Sequence, residues 1–223
     1  MDAVVRHVQT ALGPPERWVD YPGGWPNQIE IALLDAVFSA NARYGRPRAP
    51  GRRPTGVFKV IENWHEQRGV DHLDSLTEMV ATADAIGPDR LPDALDNRQW
   101  APGGRLRKAT AAVEAARALR AVAVDRAADL GDASTRQRAG TAYQAVPGLG
   151  WVTFDYLLSL LGYPNVKADR MLIRFVSDAV GEPVDAHTAR TLTLDAAAQM
   201  NADPRRLDHA IWDYQRGTGS DTG

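Results

Sequence analysis

The residues whose types and spacing best suit chemistry lie between 135 and 176, in the run TRQRAGTAYQAVPGLGWVTFDYLLSLLGYPNVKADRMLIRFV. Val146-Pro147-Gly148-Leu149-Gly150 forms a tight turn between two helical patterns. Its glycines permit positive φ and a close backbone approach. The helix that follows begins with N–H groups lacking internal partners, and such a start attracts a phosphate. An ordinary helix–helix turn is the other reading of the same residues. Further on, Val166-Lys167-Ala168-Asp169 sets a carboxylate at the start of the next helix. Asp is a favoured helix cap. A carboxylate can also stabilise a cationic transition state and orient or deprotonate a water. Both readings of Asp169 stand at this point. Lys167 offers an ammonium to Asp169, to a phosphate, or as an amine nucleophile.

Helices must position these groups. Asn27 follows Pro26 and can cap a helix, with Glu30 three residues on to complete a capping box. Ile29, Leu33, Ala36, Val37 and Ala40 then recur at helical spacing. The Pro-, Arg- and Gly-rich stretch 45–56 ends that helix and forms a loop. Helices are predicted over 57–68, stopped by Gly69, over 71–85, stopped by Gly87 and Pro88, and briefly over 91–95. Pro102-Gly103-Gly104 precedes a long amphipathic helix over 105–130, with the stripe Leu106, Ala109, Val113, Ala116, Leu119, Ala123 and Ala127. Ser134 can cap a helix over 135–145. Helices over 151–161, 168–180, 187–200 and 204–215 complete the chain, and a disordered tail is expected from 216 to 223. No strand pattern and no fixed-period repeat occurs. The expected fold class is all-α.

Composition narrows the function classes. The chain has 223 residues, 44% hydrophobic and 24% charged, which excludes collagen, a coiled coil and a mostly disordered chain. The length suits one large domain or two small lobes. No apolar run approaches the ~20 residues of a membrane span, and the first residues lack the apolar stretch of a secretory signal. A soluble, cytoplasmic protein is expected. There is no cysteine, which excludes disulfides, thiolate metal sites and cysteine-held iron–sulfur clusters. The net charge of −2 argues as a whole against nucleic-acid binding, but binding follows local potential. Residues 42–60 hold Arg43, Arg46, Arg48, Arg52, Arg53 and Lys59 without an acid, and 97–108 hold Arg98, Arg105, Arg107 and Lys108 without one. Solvated loops in an Arg-rich protein would show the same clusters.

Taken together, Val146, Pro147, Gly148, Leu149, Gly150, Thr153, Gly162, Pro164 and Asp169 resemble the helix-hairpin-helix DNA glycosylase superfamily (HhH-GPD), which includes endonuclease III and MutY. That family typically shows a leucine, Pro-Gly-x-Gly, and a Thr three residues after the last glycine. An apolar helix, a Gly-x-Pro turn and an Asp opening the next helix follow. The segment from Gln28 to Asn41 (QIEIALLDAVFSAN) is similar to the family's opening helix, and that from Leu207 to Tyr214 (LDHAIWDY) to its last core helix. The resemblance spans most of 27–215 and implies a two-lobed helical fold. Residues 1–26 would pack on the C-terminal lobe, about 28–145 would form a six-helix core, and about 135–215 would hold the hairpin and C-terminal helices.

The resemblance implies a glycosylase acting on double-stranded DNA with a flipped-out base. Pro147, Gly148, Leu149, Gly150, Thr153, Asn41, Arg43 and Arg46 would contact DNA, with Arg48, Arg52 and Arg53 adding to a positive rim. Trp151 would line the base pocket or pack on the hairpin, and Tyr44, Trp25 and Tyr21 would stack a flipped base or fill the gap it leaves. Carbonyls of Gln144, Val146 and Leu149 would hold a monovalent cation, K+ or Na+. Asp169 would be catalytic, with Lys167 as an accessory. Bifunctional members carry a Lys where this chain has Val152, so a monofunctional enzyme without lyase activity is implied. Without cysteines there is no iron–sulfur cluster, and no cofactor is required. A monomer with no membrane partner is expected. Trp64 and Trp212 are assigned to the core, and His65, His72, His187 and His209 show no metal-ligand spacing. A non-catalytic DNA-structure-binding protein and a helical interaction module without a DNA role remain as alternatives. Base-excision repair is the expected role, with defence against modified DNA as an alternative, and the identity of the base remains open.

Overall fold

The computed structural model describes residues 3–19 and 23–218. The described chain is all-α, with only two isolated β-bridges, Ala49 with Arg52 and Trp100 with Arg107. The helices are α1 (Ala3–Ala11), α2 (Ile29–Phe38), α3 (Val57–Arg68), α4 (Leu76–Ile86), α5 (Leu91–Ala94), α6 (Lys108–Ala121), α7 (Ala133–Gln144), α8 (Trp151–Leu160), α9 (Arg170–Val180), α10 (Ala186–Gln199) and α11 (Pro204–Thr218). Short 3-10 turns occupy Pro15–Arg17 and Ala127–Leu130. The chain divides into two compact units. One comprises Gly24–Gly162, and the other joins the two ends of the chain, up to Gly23 and from Tyr163 onward.

In the central unit α2 is the hub, and all ten of its residues are buried. Its sequence IEIALLDAVF is apolar on every side, as a helix surrounded by others must be. α3, α6 and α8 pack on it. The capping box expected at Asn27 does not form. Asn27 sits at φ +55°, Gln28 is the cap residue with no side-chain bond, and the Ile29 N–H donates to Asp74. Glu30 faces inward instead. It accepts from Trp64 Nε1, Arg68 Nε and Nη2, and the Ser75 N–H. A carboxylate on a fully buried helix needs a complete donor set, so tertiary partners take it from the local cap.

The long helix expected over 105–130 is shorter, because Ala123 adopts φ +64° and Val124 turns its N–H back to the Leu119 carbonyl. α4 begins at Leu76 rather than 71, where the Ser75 hydroxyl accepts from the Glu78 N–H and Asp125 takes the Thr77 N–H. α7 begins at Ala133, two residues before the expected start, and is capped by Asp132 and not by Ser134. Bonds from Ser134 and Thr135 hold the Asp132 carboxyl far below the ordinary carboxylate range. The basic cluster at 97–108 is largely consumed by structure. Arg98 pairs with Asp93, Arg107 lies 3.8 Å over the Trp100 ring, and Lys108 is buried. Lys108 Nζ donates to the carbonyls of Phe38 and Ala40 and to Gln99, closing the C-terminal end of α2 with a cation.

In the other unit α1, α10 and α11 pack on α9. Its core includes the ring cluster His7, Phe175 and Tyr214. Arg206 donates to the carbonyls of Pro15 and Trp18. Trp64 is core as expected, but Trp212 is half-buried, stacked on His209 with Arg216 4.4 Å from its ring. The buried stripe of α11 runs through Leu207, Ile211 and Gln215, and Trp212 lies one position off it. α11 continues through 216–218, and the expected tail beyond 218 lies outside the described residues, as does Tyr21.

Candidate functional site

α7 and α8 form a helical hairpin around the turn at 147–150. Gly140 lets them close, since a Cβ there would stand 3.1 Å from the Phe154 ring. Gly148 uses the conformational freedom expected of it, with φ +90°, and a Cβ would come within 2.6 Å of the Pro102 carbonyl oxygen and 2.8 Å of Ala101 Cβ. Gly150 does not, since its φ is −134° and a Cβ there would meet nothing within 4 Å.

The N–H groups of the hairpin are divided. Leu149 donates to the Val146 carbonyl, and Gly150 donates to Thr153 Oγ1 at 3.2 Å, while the Thr153 hydroxyl donates back to the Gly150 carbonyl at 2.8 Å. Thr153 is buried and serves as an internal clasp for the turn. Among the described residues, the N–H groups of Gly148 and Val152 have no hydrogen-bond partner. Those two donors, at the positive end of the α8 dipole, are the hairpin's capacity for an anion. The carbonyls of Gln144, Val146 and Leu149 are neutral donors, a set suited to a weakly held monovalent cation rather than a divalent one. No group of three or more His, Asp or Glu side chains able to hold a metal occurs among the described residues.

Asp169 caps α9. Its Oδ1 accepts from the Met171 N–H at 2.8 Å and the Leu172 N–H at 3.3 Å, and its own N–H donates to the Lys167 carbonyl. Oδ2 has no hydrogen-bond partner among the described residues. The cap therefore occupies one oxygen and fixes the direction of the other. The Lys167 N–H donates to Asp208 Oδ2 at 3.0 Å, tying the segment before Asp169 to α11. Asp208 keeps some surface, while its carboxyl is dehydrated. Burial pushes that carboxyl up to about 7, opposed by the Lys167 N–H, reinforced by the Asp169 charge and opposed again by the Lys167 ammonium. Asp208 follows Asp169 by 39 residues, and no local spacing signals the pairing.

The aromatics expected near a base pocket meet on a carboxylate. Trp25 Nε1 donates to Asp35 Oδ2 at 2.9 Å, and the Tyr44 hydroxyl donates to the same oxygen at 2.6 Å. Asp35 lies within the buried hub helix, and an acid inside an otherwise apolar run was its only sequence signal. Both rings are half-buried. A cavity of about 310 Å³ lies beside Trp25, lined also by Pro47, Pro54, Phe58, Ile61 and His65. Trp151 is half-buried at the first position of α8. Asn41 is exposed at φ +50°, and Arg43 and Arg46 are exposed on the same connection between α2 and α3. All these residues except Asp169, Lys167 and Asp208 belong to the central unit.

These features define an all-α protein of two helical units, carrying a tight helical hairpin in one and a capped carboxylate in the other. The chain belongs to the family described as Domain of unknown function (DUF8548), which matches residues 2–216. Among curated proteins none matches it. In fold it is similar to the structure of MBOgg1 in complex with a low affinity DNA ligand, with a TM-score of 0.59 and 14% sequence identity. The similarity covers 86% of this chain and 61% of that one, so the chain spans less than two thirds of the length of the structure it matches. No helix among the described residues is long and apolar enough to cross a membrane.

Proposed function

We propose that this protein is a DNA glycosylase that excises a damaged or modified base, without lyase activity. The observation that carries the reading is the half-used carboxylate of Asp169, with one oxygen locked on the α9 N-terminus and the other without a hydrogen-bond partner among the described residues. Such a group is preorganised, because its orientation does not depend on substrate. The fold similarity to a protein solved with a DNA ligand supports it, as do the motif residues shared with the helix-hairpin-helix glycosylases.

In this reading the N–H groups of Gly148 and Val152 hold a backbone phosphate, and Asn41, Arg43 and Arg46 contact the same duplex. The carbonyls of Gln144, Val146 and Leu149 would hold a monovalent cation, which would add positive charge to the hairpin. The target nucleotide leaves the stack, and Trp25, Tyr44 or Trp151 offers a ring for stacking. The C1′–N bond breaks with its electron pair passing to the base, which takes up a proton. Asp169 stabilises the cationic sugar, and a water adds to C1′, losing its proton to Asp169 or to solvent. The products are a free base and an abasic site. Val152 offers no amine, so strand cleavage is not expected.

The cap bonds of Asp169 favour one other reading, a protein that binds DNA structure without catalysis. Single-turnover incubation with duplexes carrying one lesion or modified base each separates the two. Wild type should give breaks only after hot alkali, and Asp169→Asn, which keeps the cap, should give none. Base release that survives Asp169→Asn sinks the assignment. Breaks without alkali would transfer suspicion to Lys167. Salt-sensitive binding with no release across the panel favours the non-catalytic reading.

A further inference from the structure

The loop between α2 and α3 is more ordered than its composition suggests. The Val57 N–H donates to the Tyr44 carbonyl, the Thr55 N–H to the Arg46 carbonyl, and Ala49 and Arg52 exchange both backbone bonds. These pairs share one antiparallel register. Carried through, it sets Gly45 opposite Gly56, Pro47 opposite Pro54 and Arg48 opposite Arg53, with Pro50 and Gly51 at the tip. Gly51 has φ +71° after a proline, the combination a type II turn requires. The facing prolines have no N–H to donate, which keeps the ladder from becoming a pair of strands. At the base the two branches cross so closely that a Cβ on Gly45 would stand 2.0 Å from the Thr55 carbonyl oxygen, and one on Gly56 2.3 Å from that of Tyr44.

This arm is electrostatically unfavourable by itself. It contains no acid, and it holds Arg46, Arg48, Arg52 and Arg53 on about ten residues of backbone. Like charges set opposite each other across a ladder destabilise it. One is relieved, since Arg48 pairs with Glu62 of α3 and holds the Glu62 carboxyl below its ordinary range. Arg46, Arg52 and Arg53 are exposed and have no acidic partner among the described residues. The curl of the tip encloses an open concavity of about 650 Å³ lined by Arg48, Ala49, Pro50, Gly51, Arg52 and Arg53. A backbone built this tightly to keep three unpaired guanidiniums together is arranged for a polyanion.

We propose that residues 45–56 are a preformed arginine arm that grips the phosphodiester backbone of duplex DNA through Arg46, Arg52 and Arg53, while Arg48 braces the arm on α3. The choice of DNA as the polyanion rests on the function proposed above. The contact is independent of sequence and of any lesion, because guanidinium–phosphate contacts position a protein without reading bases.

The test is the salt dependence of binding to a short, undamaged, fluorescent duplex. Each phosphate contact contributes about 0.9 to the slope of log K against log salt. R46A/R52A/R53A should therefore lower the slope by roughly 2.7, so that wild type loses about 40-fold more affinity than the variant between ~50 and ~200 mM salt. The melting temperature of the variant should equal or exceed that of wild type, since only repulsion is removed. R48A should leave the slope nearly unchanged. An unchanged slope in the triple variant, with wild type still binding in a salt-dependent manner, overturns the arm but not the DNA reading. Absence of duplex binding by wild type overturns the DNA reading itself. Equal retention of polyglutamate through the same three arginines would assign the arm to an acidic protein surface and overturn the proposal.

Discussion

The two glycines of the hairpin should separate folding from binding. Gly148 has φ +90°, and its missing Cβ would come within 2.6 Å of one backbone oxygen and 2.8 Å of Ala101 Cβ. A left-handed backbone costs an L-residue about 1–2 kcal/mol, and forcing a methyl into filled space adds about 1–3 kcal/mol. Gly148→Ala is therefore expected to cost about 3 kcal/mol, a fall in Tm of roughly 6–12 °C for a chain of this size. Gly150 lies at φ −134° with nothing within 4 Å of its Cβ position. The cost of Gly150→Ala is confined to a poorer helix cap, below about 1 kcal/mol. If a DNA backbone rests on this turn, however, the added methyl lies in the space the phosphate approaches. Losing one charge-assisted backbone bond is worth about 1.5 kcal/mol, roughly tenfold in affinity. Thermal melts of both variants, with duplex binding of Gly150→Ala at low salt, complete the test. A Gly148→Ala protein that melts with wild type refutes the close-approach argument, and full affinity in Gly150→Ala refutes the placement of a phosphate on the turn.

Asp208 should make stability depend on pH. Its carboxyl is raised to about 7 from an ordinary 3.8, so the folded protein holds a proton that the unfolded chain releases between those values. That contribution is complete below the unfolded value and is lost as pH rises through about 7. Denaturant unfolding should show up to about 3 kcal/mol less stability at pH ~8 than at pH ~5, a difference that Asp208→Asn abolishes. An identical pH profile in wild type and variant would show that Asp208 titrates normally. Glu30→Gln should cost about 3 kcal/mol, because it leaves the guanidinium of Arg68, only 12% exposed, without its anion. A Tm within a few degrees of wild type would mean that the four donors, and not the charge, hold Glu30 in place.

The sequence is legible where one residue decides an element by itself. Gly69 ends α3 in the left-handed conformation, and Asp169 caps α9. The hydrophobic run of α2 and the turn at 147–150 were legible for the same reason, since period and turn chemistry are short-range. The sequence misleads where a polar group has two possible partners. Glu30 has the spacing of a capping box but went to Trp64, Arg68 and Ser75, because a carboxylate inside a buried helix cannot remain half-satisfied. Lys108 resembles one more cation in a basic patch, yet it closes α2 from 70 residues away in sequence. Asp208 and Asp35 gave no spacing signal, since their partners are brought together only by tertiary packing.

The same distinction decides which arginines matter. The density of basic residues gives 42–60 and 97–108 similar standing. The fold consumes three of the four in the second group, with Arg98 on Asp93, Arg107 on Trp100 and Lys108 on backbone carbonyls. It leaves four of the first without an acid among the described residues, Arg43, Arg46, Arg52 and Arg53, the last three on a backbone that only glycine at 45 and 56 can form. Local repulsion kept in a rigid segment is a cost to folding, and such conflicts concentrate at functional sites. The net charge of −2 therefore carries little weight against a DNA role. What a phosphate encounters is the potential of the arm, and that potential is set by which cations the fold has already neutralised.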